Sequence, residues 1–252
     1  IKAGDEVIVP NYTMVATPNS VKFFGAKPVF VDVDPVTYCL DIDLVKKAIT
    51  SKTRAIMLVT SNGRYPVSGI KSFEILCEKR NLILIEDSAQ SLGSFYPDGR
   101  HMGTVGDVGS FSFSAPKIIS TGQGGALVTN NDDFATKLRK LKDFGRVEGG
   151  NDVHDTLGYN FKFTELQAVI GIEQIKKLPA RVIRKKQIKK LYQSLLNEKN
   201  GIRLIKQDLD HTTPWFIDVM VENRSNLQER LRENKIGSRV MYPPINKQKA
   251  YD

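Results

Sequence analysis

The sequence predicts an α/β fold, a mostly parallel sheet wrapped by helices, and three observations carry that expectation. Short β-branched runs alternate with amphipathic stretches from the first residues to the neighbourhood of Lys199. One run, LILIED at 82–87, is apolar without a break until two carboxylates close it. A parallel strand covered on both faces reads this way, because neither face has room for polar alternation. Composition agrees: 40% hydrophobic and 26% charged residues exclude a disordered or collagen-like chain. No apolar run approaches the ~18–20 residues of a membrane-spanning helix.

DEVIVP (5–10) reads as a strand ending at Pro10, and Val15–Phe24 as a helix. Pro18 is tolerable there only in the first turn, where no intrahelical partner awaits its missing N–H. KPVFVDVD is the next strand, Asp43–Ile49 a short helix opened by acidic residues, and TRAIMLVT a further strand. Ile70, Phe73, Leu76 and Cys77 mark one face of a helix from Ile70 to Lys79, since they recur at helical spacing. After LILIED come two strands, GSFSFS and GGALVTNN, close enough for a tight connection. Three helices follow: Asp133–Phe144, Thr164–Lys177 and Arg181–Leu196. Beyond Gly201 the order becomes strand (IRLIK), strand (TPWFIDVMVE) and helix (Asn226–Asn234). That change places a boundary near Lys199–Gly201, giving a large unit 1–199 and the beginning of a small α/β unit, 200–252. The chain opens at IKAGDEVIVP without methionine and stops at KQKAYD, so both ends read as cuts through a longer protein.

A net charge of +9 suits an anionic ligand such as a phosphate or nucleotide. The densest basic run, Lys176–Lys190, interleaves Leu178, Val182 and Ile188 at roughly helical spacing, so a solvated helix face is expected. It carries no aromatic residues and so lacks the stacking platform of a single-strand nucleic-acid binder. Cys39 and Cys77 form no CxxC pair, and His101, His154 and His211 are scattered. Neither a disulfide framework nor a metal site is expected.

Ligands of open α/β sheets bind beyond the carboxyl ends of the strands, and three segments put reactive residue types at such ends. Asp87 closes LILIED, where it can face a ligand or simply cap a helix. In GSFSFSAPKIISTGQGG (109–125), Ser112 and Ser114 alternate with Phe111 and Phe113, and Lys117 follows beside Gly122, Gly124 and Gly125. Hydroxyls and glycine backbone suit a phosphate, but the spacing is neither a P-loop nor GxGxxG. Lys117 is a phosphate or Schiff-base candidate, or a surface lysine. In GYNFKFTELQ (158–167), Thr164 and Gln167 suffice for a capping box, which leaves Gly158 and Asn160 without a local reason.

The succession GDEVIVP, GAKPVFVDVD, IEDSAQSLGS, FSFSAPK, TGQGGALVT, GYNFKFTELQAVIGIEQ and MYPPINKQKAY resembles the DegT/DnrJ/EryC1/StrS family of sugar aminotransferases, collinearly from Gly4 to Tyr251. The resemblance implies a pyridoxal-phosphate-dependent transferase of fold type I. It implies that Lys117 forms the Schiff base with the cofactor, that Ser112 binds its phosphate and that Asp87 pairs with its pyridine nitrogen. Gln90 would lie against the ring near its hydroxyl. Asn160 would reach the phosphate of the neighbouring subunit's cofactor, so a homodimer is implied. The implied reaction is ping-pong: L-glutamate leaves as 2-oxoglutarate, and the pyridoxamine phosphate so formed aminates a keto-sugar on a nucleoside diphosphate, with a 4-keto-6-deoxyhexose as the expected class. The setting would be cytoplasmic amino-sugar biosynthesis, for lipopolysaccharide or another polysaccharide. Two alternatives stand beside it. One is a sugar 3-dehydratase, a branch with histidine in place of the lysine, against which Lys117 argues; the other is a non-catalytic relative serving as a sensory or interaction module.

The chain departs from the family pattern at several points. TSNGRYP stands where many relatives have a His-Tyr-Gly segment, Gln123 where GEGG is common, Met14 where an aromatic packs on the ring, and Asn246 where a histidine is associated with substrate. These leave the substrate open. The Gly-Thr helix start that binds phosphate in relatives lies outside the sequence, so a fragment with an incomplete site is also an expectation.

Overall fold

A computed structural model describes residues 1–196 and 201–251. The eight strands are β1 (Glu6–Pro10), β2 (Lys27–Val31), β3 (Thr53–Val59), β4 (Ile83–Asp87), β5 (Val108–Ser112), β6 (Gly125–Val128), β7 (Ile202–Leu204) and β8 (Val219–Val221). The helices are α1 (Ala16–Lys22), α2 (Ile42–Ala48), α3 (Gly69–Arg80), α4 (Asp132–Lys142), α5 (Glu165–Lys176), α6 (Leu178–Leu196) and α7 (Arg224–Glu233). Strands β1 to β6 form one sheet in the order β2-β1-β3-β4-β5-β6. All neighbours are parallel except β5–β6, where Ser112 pairs with Gly125 in antiparallel register.

Period-two alternation along the central strands explains the layering. Ile8, Ile56, Leu58 and Leu84 point into one core with Ile70, Phe73 and Leu76 of α3, while Val7, Val9 and Ala55 point to the other face with Val21 of α1. Each central strand therefore buries both faces, as the unbroken apolar run at 82–87 requires. Pro18 sits in the first turn of α1, and Asp41 caps α2 by accepting from the amides of Asp43 and Leu44.

Two expectations need correction. The β5–β6 connection is not tight: residues 113–124 form a long loop, closed at its base by Phe113 N–H to Gly124 O at 2.8 Å. The segment TPWFIDVMVE is not one strand, because only Val219–Val221 pairs, with β7. Its first half instead bonds to the loops that follow β3, β4 and β5, through Asn62, Ser94 and Pro116. The two-stranded β7–β8 sheet is separate from the large one, and the expected boundary near Lys199 lies outside the described residues. Residues after α7 return to the amino-terminal strands, where Ile245 N–H donates to Asn11 O and Tyr251 meets Phe30 edge-on.

Candidate active site

The site grows from the carboxyl end of β4. Strand alternation sends the two carboxylates of LILIED to opposite sides. Glu86 is fully buried and accepts from Tyr96 Oη and from the amides of Gly103, Val105 and Gly106. It anchors the loop before β5 and faces no cavity. Asp87 emerges at the strand end, where its Oδ2 accepts from Thr17 Oγ1 at 2.7 Å and its Oδ1 from the Ala89 amide at 3.2 Å. Thr17 lies 3.1 Å from Thr13 Oγ1. Since Thr17 spends its proton on Asp87, Thr13 must donate to Thr17, and the two hydroxyls form a relay that fixes the carboxylate.

Lys117 sits in the β5–β6 loop, its amide donating to Ser114 O at 3.0 Å. Its side chain lines one small cavity with Gln90, Ser112 and Trp215. Burial lowers the amine to about 8, against the pull of the Asp87 charge, which raises it; desolvation outweighs the attraction. The Ser112 and Ser114 hydroxyls are 3.2 Å apart. Gln90 Oε1 accepts from the Asn62 amide at 2.8 Å. The structure thus gathers Gln90, Ser112 and Lys117 on one cavity, with Asp87 near enough for its charge to act on the amine. Asn160 is not gathered. It is exposed on the segment before α5 and pairs with Asp143 in an isolated bridge. The expected capping box of Thr164 and Gln167 is present, and Gln167 Nε2 also donates to Gln123 O. A wider, shallow hollow between α7 and residues 235–238 contains none of these residues.

Sequence reasoning missed four contributors. Thr17 holds Asp87; its only signal was a hydroxyl in the turn after a strand. Trp215, the sole tryptophan, lies over Lys117 with Nζ 3.8 Å from the ring centroid; it was hidden in an expected strand. Asn62 has left-handed backbone (φ 52) and ties Gln90 to the Phe216 backbone. The fourth is the basic run, which is not merely a solvated face. Arg181, Lys185 and Lys189 fall four residues apart on one side of α6 and reach Ile118 O, Trp215 O and Asp218.

The donor set suits pyridoxal phosphate. A half-buried amine with a lowered proton affinity can add to an aldehyde, a fixed carboxylate can pair with a protonated ring nitrogen, and paired hydroxyls beside a glycine-rich loop can take a phosphate. No side chain here competes for those roles with a metal: among the described residues there is no cluster of His, Cys, Asp and Glu that could hold one.

Compared with known proteins, the chain is 35% identical over 254 residues to the GDP-perosamine synthase of Escherichia coli O157:H7, with 100% of this chain matched to 69% of that one. Among solved structures it superposes on S. venezuelae DesV in complex with a ketimine intermediate at TM-score 0.92 and 33% identity, covering 100% of this chain and 67% of that one. It also superposes on the E. coli GDP-4-keto-6-deoxy-D-mannose-3-dehydratase with bound hydrated PLP at TM-score 0.82 and 26% identity, covering 94% and 66%. The DegT/DnrJ/EryC1/StrS aminotransferase family matches residues 1–252. Fold and sequence agree, and the chain belongs to the DegT/DnrJ/EryC1/StrS aminotransferase family.

Proposed function

We propose that this chain uses pyridoxal phosphate to move an amino group from L-glutamate to a nucleoside-diphosphate-linked keto-sugar of the 4-keto-6-deoxyhexose class. The observation that carries the reading is the Lys117 amine, lowered by burial to about 8, on one cavity with Gln90 and Ser112. The GDP-linked sugar in the name of the E. coli relative, a GDP-perosamine synthase, and the +9 charge support an anionic sugar nucleotide. Residues 1–199 are the cofactor unit in this reading, and 200–252 open a smaller one.

When bound, the cofactor supplies a carbonyl that condenses with amines and a ring that accepts electron density. Asp87, fixed by the Thr17 hydroxyl and the Ala89 amide, holds a proton on the ring nitrogen. Ser112 would help hold the phosphate, and Gln90, fixed in turn by Asn62, would lie beside the ring. With its amine near 8, Lys117 is about one-tenth neutral at pH 7, far more than an ordinary lysine, so it can take a proton from the substrate carbon and return it. Lys117 also argues against the dehydratase chemistry of the E. coli structural neighbour, a branch with histidine at this position.

A homodimer is part of the proposal. Helix α5 exposes Leu166, Val169, Ile170, Ile172 and Ile175, a run too apolar for water, and the exposed Asn160 stands beside its amino end. A second copy seated there would bury that surface and receive Asn160 at its own cofactor. Among the described residues no helix is long and apolar enough to cross a membrane, and we place the enzyme in cytoplasmic amino-sugar and polysaccharide biosynthesis.

The test is borohydride reduction in the presence of pyridoxal phosphate, followed by peptide mapping. A phosphopyridoxyl group on Lys117 whose formation prior L-glutamate prevents supports both the cofactor lysine and the donor. Labelling of another lysine, or none, overturns the reading.

A further inference from the structure

Lys117 is covered by a segment that arrives from far along the chain. Residues 212–218 run across the site as a strap, and every second residue or so is pinned. The Thr213 amide donates to Ser94 Oγ and its hydroxyl to Gly93 O. Phe216 exchanges both backbone hydrogen bonds with the Asn62 side chain. Asp218 is fully buried and meets Arg64 at 2.7 Å and Lys189 at 3.7 Å. Between these anchors sits Trp215, 8% exposed. Its Nε1–H donates to Pro116 O at 2.7 Å, and its own carbonyl accepts from Lys185 Nζ at 2.8 Å. The indole is therefore bonded to the residue preceding Lys117 while its face lies against the Lys117 amine.

We propose that Trp215 is a positioning residue for the transamination: its ring excludes water from the Lys117 amine and its N–H fixes the backbone from which that amine projects. This rests on the reading of Lys117 as the cofactor lysine. Two effects of the ring oppose each other. The π-face attracts an ammonium, whereas the water it displaces would have solvated one. The lowered Lys117 amine says that displacement wins. The charged groups around it are few: Asp87 at the end of β4 favours the ammonium. From α6, Arg181 and Lys185 reach Ile118 O and Trp215 O. With the ring gone, water enters beside Asp87 and the ammonium regains its stability.

Competitive acetylation of Lys117 in the cofactor-free protein, followed by peptide mapping across a pH series, reads this directly. The wild-type midpoint is expected at about 8. In Trp215→Ala it rises by about one unit or more, which lowers reactivity near neutral pH about tenfold. Trp215→Phe keeps the face and stays near wild type in midpoint. In the cofactor-loaded protein, the acid limb of the glutamate half-reaction shifts upward with the same order of variants. An unchanged or lowered midpoint in Trp215→Ala overturns the proposal, and so does an equal rise in Trp215→Phe, which would assign the effect to the N–H alone. Should the alanine variant not fold by circular dichroism, Trp215→Leu serves: a rise of about half a unit or more supports the proposal, and none overturns it. A merely structural tryptophan would lower the melting temperature and leave the midpoint in place. Borohydride mapping of the wild type with pyridoxal phosphate separates the two readings, since a phosphopyridoxyl group on a different lysine overturns the cofactor reading while leaving the acetylation midpoints as they are.

Discussion

Glu86 and Asp87 are adjacent, alike in chemistry and opposite in use. Four donors saturate Glu86 inside the protein, whereas Asp87 keeps lone pairs free at the strand end with only Thr17 and Ala89 attached. Substituting each therefore separates folding from chemistry. Asp87→Asn keeps the shape and loses the charge, so turnover is expected to fall by about two to three orders of magnitude, with urea unfolding nearly unchanged. Glu86→Ala is expected to cost about 3 kcal/mol or more of stability, because it strands buried donors, and a denaturant midpoint would show it. Strand ends, hydroxyls and glycines made Asp87, Ser112 and Lys117 candidates, and only the family resemblance gave each an expected role. Thr17, Asn62 and Trp215 were not legible, since each acts on a partner at least 28 residues away and looks ordinary in its own neighbourhood.

At the level of elements, most helices announced themselves. The Thr164–Gln167 box and the Ile70–Cys77 stripe are local devices, and each is found where expected; the Asp41 cap of α2 is equally local but was not expected. The two failures were contextual. A helix with cations every fourth residue looks solvated until a buried carboxylate is found opposite it, and α6 meets Asp218 from a later segment of the chain. Arg64 and Lys189 share that one carboxylate, and burial lowers the proton affinity of Lys189. Asp218→Asn leaves a buried guanidinium without its counter-ion, and a loss of about 3 kcal/mol is expected. Adding Lys189→Met should restore part of it, as read by urea unfolding of the single and double variants. Likewise the strand expected over TPWFIDVMVE was reasonable by propensity, but the side chains of Asn62 and Ser94 capture the Thr213–Phe216 backbone before a ladder can.

For the whole molecule, α/β alternation was enough to predict a mostly parallel sheet, whereas strand order and the antiparallel β6 depend on pairings between distant segments. The apolar face of α5 belongs to this scale. Ile170→Glu with Leu166→Glu is expected to give a monomer by light scattering and to abolish turnover while preserving the circular dichroism spectrum. The two buried thiols give a pH test. Burial pushes Cys39 up to about 11 and Cys77 up to about 12. Below the ordinary thiol range both states keep these protons and stability is unaffected. Above about pH 9 the unfolded chain releases protons that the folded chain retains, so the thiols make stability fall as pH rises toward 11. Lys117 works in the other direction over part of that range, so the measurement is the difference in urea midpoint between wild type and Cys39→Ala/Cys77→Ala at pH 8 and pH 10. The wild type should lose more between the two.

The bond from Trp215 to Pro116 spans 99 residues, whereas the β5–β6 hairpin that carries Lys117 closes within a short stretch of chain. On a ribosome the hairpin and its neighbour β4 are complete long before the tryptophan is made. At about 5–20 residues per second that interval is roughly 5–20 seconds. During it Lys117 lacks the cover that Trp215 gives it in the folded chain. On the proposed reading of Lys117 as the cofactor lysine, loading before that cover is made and reloading afterwards are different kinetic problems, separated by the order in which the message is read.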